Sequence, residues 1–270
     1  MDLGLAGRRC LVTGASRGIG RETAVQLCGE GARVLMVARD ERRLRAVQEE
    51  ADGAGAPAGG RAAILAQDVT EPDAAARMVA TAEECFGGLD VLVNNAGVAS
   101  WRDLDDVPEQ EWRDQYELNV IAPLRAMRAA VPAMAERGWG RVVNVCSTAG
   151  KRPSAAMAPY SVAKAAELSL SRLFADRYAK RGVLVNAVAP GPAESEMWMA
   201  PGGLADQSMR LSGAASREEA LAAAGAKRPI GRLASPEEIA AAIVFLCSER
   251  ASYVSGAAWS VDGGTVQVII

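Results

Sequence analysis

Residues 11–20 read LVTGASRGIG, an apolar run that passes at once into a cluster of glycines, Gly14, Gly18 and Gly20. At a junction between a strand and a helix, backbone amides and the positive end of the helix dipole can hold a pyrophosphate. Glycine suits this turn because a Cβ atom would block the turn or the approach of the phosphates. A glycine cluster alone is weak evidence, and the spacing G-x-x-x-G-x-G differs from the commoner G-x-G-x-x-G. It indicates a dinucleotide site strongly when it lies in the first strand-to-helix turn of a β-α-β chain.

The rest of the chain shows that alternation of strands and helices. Apolar runs typical of strands are RRCLVT (8–13), RVLMVA (33–38), AAILAQ (62–67), DVLVN (90–94), RVVNVCS (141–147), GVLVNAVA (182–189) and AAWSV (257–261). Continuously apolar strands are buried on both faces, and β-α alternation predicts a parallel sheet covered by helices on both sides. The sequence therefore predicts an α/β fold, a Rossmann-type doubly wound parallel sheet of about seven strands in a single domain over residues 1–270.

Helix starts are predicted where capping residues precede periodic stretches. Asp40 is the predicted N-cap of a helix over 40–51, and Thr70 that of a helix over 71–86. The stretch DGAGAPAGG (52–60) is predicted to be a flexible surface loop. Residues 192–229 interrupt the pattern, and an apolar opening (197–199) before a Gly/Ser-rich continuation suits a mobile lid over a substrate. The Met and Trp side chains of that opening could equally belong to a core or to a subunit contact.

Composition and charge limit the class of protein. Half of the 270 residues are apolar and 23% are charged, which is typical of globular proteins. A net charge of −3 gives no reason to expect a nucleic-acid partner, because phosphate binding needs a basic face. The N-terminal stretch lacks the charged start and apolar run of a leader, and no window is long enough to span a bilayer. A cytoplasmic protein without a membrane partner is predicted.

Cysteine and histidine usage limits the chemistry. The five cysteines are scattered and never form a C-x-x-C pair, so we interpret them as small buried side chains rather than as disulfides or zinc ligands. Histidine is missing, which excludes Ser-His-Asp and Cys-His mechanisms and most metal sites. No metal is predicted, and any acid or base must be a tyrosine, a lysine or a carboxylate.

One candidate for such a group lies in APYSVAKAAE (158–167), where Tyr160 precedes Lys164 by four residues. On a helix the two side chains lie one above the other on the same face. The pair alone could be a reaction centre, or a core tyrosine beside a solvated lysine.

Five motifs in one order carry a family resemblance. They are TGASRGIG (13–20), NNAG (94–97), Asn119 in ELNV, Ser147 in NVCSTAG, and Tyr160 with Lys164 in YSVAK. This set resembles that of the short-chain dehydrogenase/reductases, and the resemblance runs from about residue 5 to about residue 265. It includes NAVAPG (186–191) and VDGG (261–264), and the wording is most similar to the 3-oxoacyl-carrier-protein reductase branch.

The resemblance implies a reaction centre made of Asn119, Ser147, Tyr160 and Lys164. A free tyrosine has a pKa of about 10, and a nearby lysine with the positive ring of an oxidised nicotinamide would lower it. Tyr160 would then serve as an acid for carbonyl reduction or a base for alcohol oxidation. Ser147 would hydrogen-bond the substrate oxygen, although a serine at a strand end can simply cap a turn. Asn119 would hold a water on a proton relay from Lys164, although an isolated helical Asn is usually a surface or capping residue.

The resemblance also implies a set of cofactor contacts. They are Gly14, Ser16, Arg17, Gly18, Ile19 and Gly20 in the first loop, Arg39 after the second strand, Asp68 and Val69 at the adenine, Asn95, Ala96 and Gly97 after the fourth strand, Tyr160 and Lys164, and Pro190, Gly191 and Ser195 near the nicotinamide. Pro192 and Glu194 depart from the commoner wording before Ser195.

Cofactor choice is predicted from the end of the second strand. Sites for NAD usually place there an acidic residue, which would repel a 2′-phosphate. Here Arg39 occupies that place and Arg17 lies in the glycine loop, so both guanidinium groups could bind one phosphate. Both arginines could instead be solvated, and Asp40 could take the acidic role. NADP(H) is predicted rather than NAD(H).

The predicted function is an NADPH-dependent reduction of a ketone to a secondary alcohol, with a 3-oxoacyl thioester on a carrier protein or coenzyme A as the leading substrate. The alternatives are oxidation of a sugar, steroid or other secondary alcohol, and a non-catalytic nucleotide sensor. A homotetramer is also predicted. The apolar tail (Val266, Val268, Ile269 and Ile270) and an apolar surplus on the helix over 235–249 (Ile239, Ile243, Val244 and Leu246) could meet their copies across an isologous interface, although the tail could fold onto its own core.

Overall fold

A computed structural model describes residues 2–267, which form one parallel sheet of seven strands in the order β3-β2-β1-β4-β5-β6-β7. The strands are β1 (Arg9–Thr13), β2 (Arg33–Ala38), β3 (Arg61–Ala66), β4 (Val91–Asn94), β5 (Gly140–Val145), β6 (Val183–Pro190) and β7 (Ala258–Val261). All seven predicted strands are confirmed, and every residue of β4 and β5 is buried. Continuous burial of this kind is the physical basis of the apolar runs, since both faces of the sheet are covered.

Helices cover both faces of the sheet. They are α1 (Gly18–Gly29), α2 (Glu41–Gly55), α3 (Ala74–Phe86), α4 (Glu109–Tyr116), α5 (Ala122–Glu136), α6 (Thr148–Lys151), α7 (Ala158–Tyr178), α8 (Glu196–Met199), α9 (Leu204–Ser212), α10 (Arg217–Ala226) and α11 (Pro236–Cys247). One hydrophobic cluster joins the sheet to α1, α2 and α11, and a second joins it to α3, α5 and α7. The predicted doubly wound, Rossmann-type arrangement is therefore confirmed.

The order of the strands reverses beside β1. The chain builds outward from β1 to β3, returns to place β4 on the other side of β1, and continues outward to β7. Helices at such a reversal leave a crevice outside the carboxyl ends of the central strands, where ligands of open α/β sheets bind. The loops after β1 and β4 meet at this crevice.

Two predicted helix boundaries have different outcomes. Asp40 caps α2 as predicted, because its side chain accepts a hydrogen bond from the Arg43 amide at 3.0 Å. The prediction for α3 is wrong, since the helix begins at Ala74 after Asp73. The amide and hydroxyl of Thr70 donate instead to Asp68 at 3.0 and 2.7 Å, which holds Thr70 in a turn before the helix.

The two stretches predicted to be irregular contain helices. Helix α2 continues to Gly55, so only the second part of 52–60 is a loop with a short 3₁₀ turn. Between 192 and 229 lie α8, α9 and α10, which share a small hydrophobic cluster containing Trp198, Leu204 and Leu233. Trp198 packs edge-on against Trp101 with ring centroids 5.9 Å apart. The structure thus places Trp198 in a core.

The apolar side chains of α11 and most of the cysteines are buried within the chain. Ile239, Ile243, Val244 and Leu246 of α11 are all buried in their own chain, so they provide no apolar surplus for a second subunit. The prediction of buried cysteines holds for four of the five and is wrong for Cys85, which is exposed near the end of α3. Val268, Ile269 and Ile270 lie outside the described residues. Within residues 2–267, no helix combines the length and apolar character needed to cross a bilayer.

Candidate active site

The loop after β1 is built around glycine. Gly14 has a φ of +66°, and a Cβ atom there would lie 2.8 Å from Asn95 Nδ2 and 2.9 Å from Ala96 Cα. A Cβ atom on Gly20 would lie 2.4 Å from the Gly14 carbonyl oxygen. Glycine at these positions therefore lets the loop after β1 touch the loop after β4, in addition to leaving room for a phosphate.

Thr13 fastens these two loops together. Its hydroxyl oxygen accepts hydrogen bonds from the amides of Asn95 and Ala96 at 2.9 and 3.1 Å. The Asn95 side chain donates back to the Thr13 carbonyl at 2.9 Å. Sequence reasoning missed Thr13, whose only signal is its place as the last residue of β1 before Gly14.

The first backbone amides of helix α1 donate no capping hydrogen bond to the side chain at its N-cap. Arg17 is its N-cap and makes no capping hydrogen bond through its side chain, and the first turn carries no acidic residue. The first amides of a helix have no partner within the helix, and the dipole there favours an anion. Together with the glycine cradle, this arrangement fits the pyrophosphate of a dinucleotide. Ser16 and Ile19 lie on either side of Arg17 and Gly18 in this turn.

Three arginines lie around the same end of the crevice. Arg17 and Arg43 both contact Glu196 Oε2, at 3.1 and 2.7 Å, whereas Arg39 lies 3.8 Å from Asp68 Oδ2. Arg17 and Arg39 are thus held by different carboxylates instead of converging on one group as predicted. Arg43, in the first turn of α2, was missed because helical arginines are usually solvated. The contact with Glu196 lowers the pKa of that carboxyl, because both guanidinium groups favour its charged form.

Asp40, which could have taken the acidic role at the cofactor ribose, is engaged in other contacts. It caps α2 and also pairs with Arg43, whose Nε lies 3.4 Å from Asp40 Oδ2. Val69, predicted beside the adenine, lines a small cavity together with Ala96.

A larger cavity of about 220 Å³ opens at the carboxyl ends of β5 and β6. Eight of the residues predicted for the reaction centre and the cofactor contacts line it: Ile19, Asn95, Ser147, Tyr160, Lys164, Pro190, Gly191 and Ser195. Met197 and Trp198, from the segment 192–229, also contribute to its wall. The structure therefore brings three of the four predicted reaction-centre residues into one space, and Asn119 does not line it.

Ser147 stands at the mouth of this cavity as the N-cap of α6. Its hydroxyl oxygen accepts a hydrogen bond from the Ala149 amide at 3.1 Å. The capping role considered from the sequence is therefore real. It is compatible with a second contact, since a hydroxyl that accepts one hydrogen bond can still donate its proton.

Lys164 is fixed by two hydrogen bonds beneath Tyr160. Its Nζ lies 5.7 Å from the centre of the Tyr160 ring and donates to the Val145 carbonyl at 2.9 Å and to Glu167 Oε2 at 2.8 Å. Lys164 and Glu167 are only 2% and 1% exposed. The lysine of the sequence motif is therefore half of a buried ion pair. Glu167 was missed because a glutamate three residues after a helical lysine is usually a surface pair.

The surroundings of Tyr160 within the chain raise its pKa. Burial outweighs the Lys164 charge and the Ser147 hydroxyl, which both act to lower it. The predicted lowering also involves the positive ring of an oxidised nicotinamide, so it stays a prediction for the protein with its cofactor. Glu167 adds to the rise, because its negative charge opposes a phenolate. Burial is the largest influence on the Lys164 ammonium and works against it, but Glu167, Tyr160 and Cys146 together outweigh burial and raise the lysine pKa above its ordinary value.

Asn119 lies in a π-helical turn, Glu117–Ile121, between α4 and α5. Its Nδ2 donates to the carbonyl and side-chain oxygens of Gln115, at 2.9 and 2.8 Å. Its Oδ1 is buried and has no hydrogen-bond partner in the part of the chain that the structure describes. A Cβ atom on Gly97 would lie 3.3 Å from that oxygen and 3.7 Å from Lys164 Nζ, so both atoms border the same small space. Such π turns recur at functional sites.

A glycine-built loop after β1 and a tyrosine above a buried lysine, both at the carboxyl edge of one parallel sheet, define a dinucleotide-dependent oxidoreductase. The family model described as enoyl-(acyl carrier protein) reductase matches residues 14–266. The chain belongs to the short-chain dehydrogenase/reductase family. It is an NAD(P)-dependent oxidoreductase acting on CH–OH and C=O groups.

Relatives with different substrates resemble this chain to a similar degree. The 3-oxoacyl-(acyl-carrier-protein) reductase of Vibrio cholerae is 35% identical over 98% of this chain and 100% of its own. The 2-(S)-hydroxypropyl-CoM dehydrogenase 3 of Xanthobacter autotrophicus is 37% identical over 95% of this chain and 96% of its own. The structure of L-sorbose reductase from Gluconobacter frateurii, a complex with NADPH and L-sorbose, has a TM-score of 0.91 and 33% identity over the whole of both chains.

Proposed function

We propose that the protein is an NADPH-dependent reductase that converts a ketone into a secondary alcohol. The observation that carries this proposal is the shared cavity, in which Ser147 and Tyr160 face one space above the buried Lys164. Among the described residues that line this cavity none is a carboxylate. With Lys164 bonded to Val145 and Glu167, Tyr160 is the group that can exchange a proton with a substrate.

The side chains divide the chemistry between them. The Ser147 hydroxyl would donate a hydrogen bond to the carbonyl oxygen and polarise it, and Tyr160 would transfer its proton to the same oxygen as negative charge develops there. The nicotinamide cofactor, when bound, supplies the hydride. The raised pKa of Tyr160 keeps the proton on the phenol until the substrate oxygen becomes basic.

Lys164 and Asn119 would return the proton to Tyr160 after each turnover. A water beside Gly97 would accept from Lys164 Nζ and donate to Asn119 Oδ1, a buried oxygen that needs a donor. This supports the relay that the family resemblance implies.

A preference for NADPH is supported by the positive charge around the end of β2. Arg17, Arg39 and Arg43 would hold the 2′-phosphate, and Asp40 is engaged by α2 and Arg43 instead of being available to a ribose hydroxyl. Asp68, Val69, Asn95, Ala96 and Gly97 would line the adenosine and ribose path, and Pro190, Gly191 and Ser195 the nicotinamide. The structural relative that holds NADPH is consistent with this choice.

The substrate class that we put first is a 3-oxoacyl thioester on a carrier protein or coenzyme A, supported by the name of the Vibrio cholerae relative. Oxidation of a sugar or another secondary alcohol by the same residues is the second candidate, supported by the Xanthobacter dehydrogenase. The segment 192–229 would act as a lid, since Met197 and Trp198 belong to it and line the cavity.

A homotetramer remains part of the proposal. The apolar side chains of α11 are buried in their own chain, so the proposed contact now lies on α7. Val162 and Leu173 are 50% and 66% exposed on α7, and eleven residues bring both to the same side of the helix. An isologous contact between two copies of this face would cover both side chains.

Incubation with NADPH and a 3-oxoacyl-coenzyme A, then with a set of simple ketones, tests the reaction through the nicotinamide absorbance band. Loss of NADPH with formation of the alcohol is the expected result. Turnover of secondary alcohols with NADP⁺ but of no ketone would favour the second candidate. Tight NADPH binding without turnover in either direction would leave the sensor interpretation and overturn the proposal.

A further inference from the structure

Two arginines that the proposed mechanism does not use line the substrate cavity. Arg152 follows α6, five residues after Ser147, and Arg228 follows α10 at the end of the lid segment. The other charged lining residue, Lys164, is neutralised by Glu167. Since none of the described lining residues is acidic, the two guanidinium groups leave a net positive charge in the cavity.

Arg228 is half-buried with an incomplete set of acceptors. Its Nη1 donates to the Ala224 carbonyl, but its Nε is buried and finds no acceptor within residues 2–267. Two arginines nearby form ion pairs, Arg217 with Asp206 and Arg232 with Glu238, whereas no carboxylate of the described side chains pairs with Arg228. A guanidinium that lines a cavity and has no carboxylate partner favours a ligand that brings a negative charge.

The backbone holds Arg228 in place. Its amide donates to the Gly225 carbonyl and its carbonyl accepts from the Gly231 amide, both at 2.9 Å. The turn that follows contacts the loop after β7, because the Ile230 amide donates a hydrogen bond to the Gly263 carbonyl at 3.2 Å. Burial lowers the pKa of Arg228, yet a guanidinium stays charged at neutral pH. The position therefore presents a fixed cation to the cavity.

Arg152, which directly follows α6, adds a second cation to the cavity wall. It is exposed, its amide donates to the Thr148 carbonyl at 2.8 Å, and no carboxylate of the described chain pairs with it. Two guanidinium groups on one cavity can bind a carboxylate or phosphate by charge-assisted hydrogen bonds.

We propose, resting on the reductase function above, that the natural substrate carries an oxyanion a few bonds from its carbonyl group, and that Arg152 and Arg228 bind this oxyanion. An oxo acid or an oxo phosphate is the class of substrate that meets this description. Arg228 would then gain an anionic partner at the part of its guanidinium that lines the cavity.

Matched substrate pairs test this proposal with NADPH as the reductant. One pair is 4-oxopentanoate and its methyl ester, and the other is dihydroxyacetone phosphate and dihydroxyacetone, so that carboxylate and phosphate are separated. The charged member of at least one pair is expected to have the higher kcat/KM. Arg228→Met and Arg152→Met should each lower the ratio of charged to neutral kcat/KM by about tenfold to a hundredfold, the scale of a lost charge-assisted hydrogen bond, mainly through KM.

Arg210→Met is the matched control. Arg210 is an exposed arginine of the same lid segment that lies outside the cavity wall, so its loss should leave the ratio unchanged. Equal or better turnover of the neutral members by the unmodified protein would overturn the proposal. So would a charged-to-neutral ratio that the two cavity variants leave intact, or that Arg210→Met lowers equally.

Binding provides a readout that does not depend on turnover. Trp101 and Trp198 line the cavity, so the quenching of tryptophan fluorescence reports ligands that enter it. With NADP⁺ present, 4-oxopentanoate or dihydroxyacetone phosphate should bind at least tenfold more tightly than its neutral partner, and Arg228→Met should remove the difference. Anion binding of this kind without turnover of any ketone would support the oxyanion site while overturning the reductase function. Turnover of neutral ketones without anion preference would do the reverse.

Discussion

At the scale of single residues, the pKa of Tyr160 is influenced by a carboxylate that does not line the cavity. Glu167 is buried against Lys164, and its charge acts on the neighbouring Tyr160. A buried carboxylate is tolerated here because the ammonium compensates it. The proton affinity of Tyr160 thus depends on burial, on one cation and on one anion.

Tyr160→Phe removes the transferable proton while it keeps the ring. We expect the rate of carbonyl reduction to fall by about a hundredfold to ten-thousandfold, as for other losses of general acid–base catalysis. NADPH affinity, measured by fluorescence titration, should change little. A variant that retains more than about a tenth of the rate, with chemistry limiting, would show that another group supplies the proton.

Glu167→Gln should move the alkaline limb of the pH–rate profile to lower pH. Reduction needs protonated Tyr160, so the rate falls as the pH rises through the Tyr160 pKa. Burial and the Glu167 charge raise that pKa, and removal of the charge lowers it, so the fall begins at lower pH. Glu167→Asp keeps the charge and should stay closer to the original profile. An unchanged limb in the Gln variant would contradict this influence.

The arginines at the end of β2 are tested by comparing the two cofactors. Arg17→Ala, Arg39→Ala or Arg43→Ala should each weaken NADPH binding by about 1.5–3 kcal/mol, the range for a hydrogen bond to a charged group, and leave NADH binding nearly unchanged. Arg42→Ala is the control, since Arg42 is exposed one position away. Equal losses of binding free energy for NADPH and NADH would show that these arginines have a structural role and do not bind the 2′-phosphate.

Motif order in the sequence singled out Asn119 and Lys164, but it could not identify the buried residues that hold them. Glu167, which accepts a hydrogen bond from Lys164, and Gln115, which accepts from Asn119, reach the site only because helices carry them into one interior. Nothing in their local pattern distinguishes them from surface or core residues. For the same reason nothing in the sequence indicated that burial and Glu167 raise the pKa of Tyr160, since both are consequences of packing.

At the scale of elements, the junction of β1 and α1 should tolerate little change. Gly14→Ala would combine a left-handed backbone with an overlap against Asn95 and Ala96. Gly59→Ala is the control for the backbone effect alone, because Gly59 has a φ of +78° and nothing lies within 4 Å of its Cβ position. The control should cost about 1–2 kcal/mol in unfolding free energy. Gly14→Ala should cost more and should also weaken NADPH binding.

Chemical denaturation and cofactor titration measure these two effects. Equal destabilisation by the two substitutions would mean that the loops after β1 and β4 can separate without cost.

The elements that the sequence predicted well are those with a continuous apolar signal. The strands are short apolar runs, and such a run can be detected in the sequence without knowing which elements pack against it. Helices α9 and α10 were missed because they are short and α10 is rich in alanine, so their apolar positions appear only against Trp198. The π turn at Asn119 was unpredictable, since its residues also suit an ordinary helix.

At the scale of the whole molecule, the proposed tetramer depends on a contact between the exposed α7 faces of two copies. Light scattering should show a tetramer for the full chain at micromolar concentration and smaller particles for Leu173→Glu, because a charge would be buried in the contact. Leu104→Glu changes another exposed leucine and should leave the tetramer intact. A monomeric full chain would overturn the tetramer, and an unchanged tetramer in Leu173→Glu would exclude this face. A chain ending at Gly264 tests the contribution of the apolar tail.

The exposed Cys85 gives the molecule a single natural point of attachment. Helix α3 runs antiparallel to the strands, so Cys85, one residue before its end, lies at the amino edge of the sheet, opposite the cavity. The other four cysteines are buried, and burial raises the pKa of each thiol, which keeps them unreactive. A maleimide dye or a surface linker should therefore couple at one site of the native enzyme. The molecule would then be oriented with its catalytic edge toward solution.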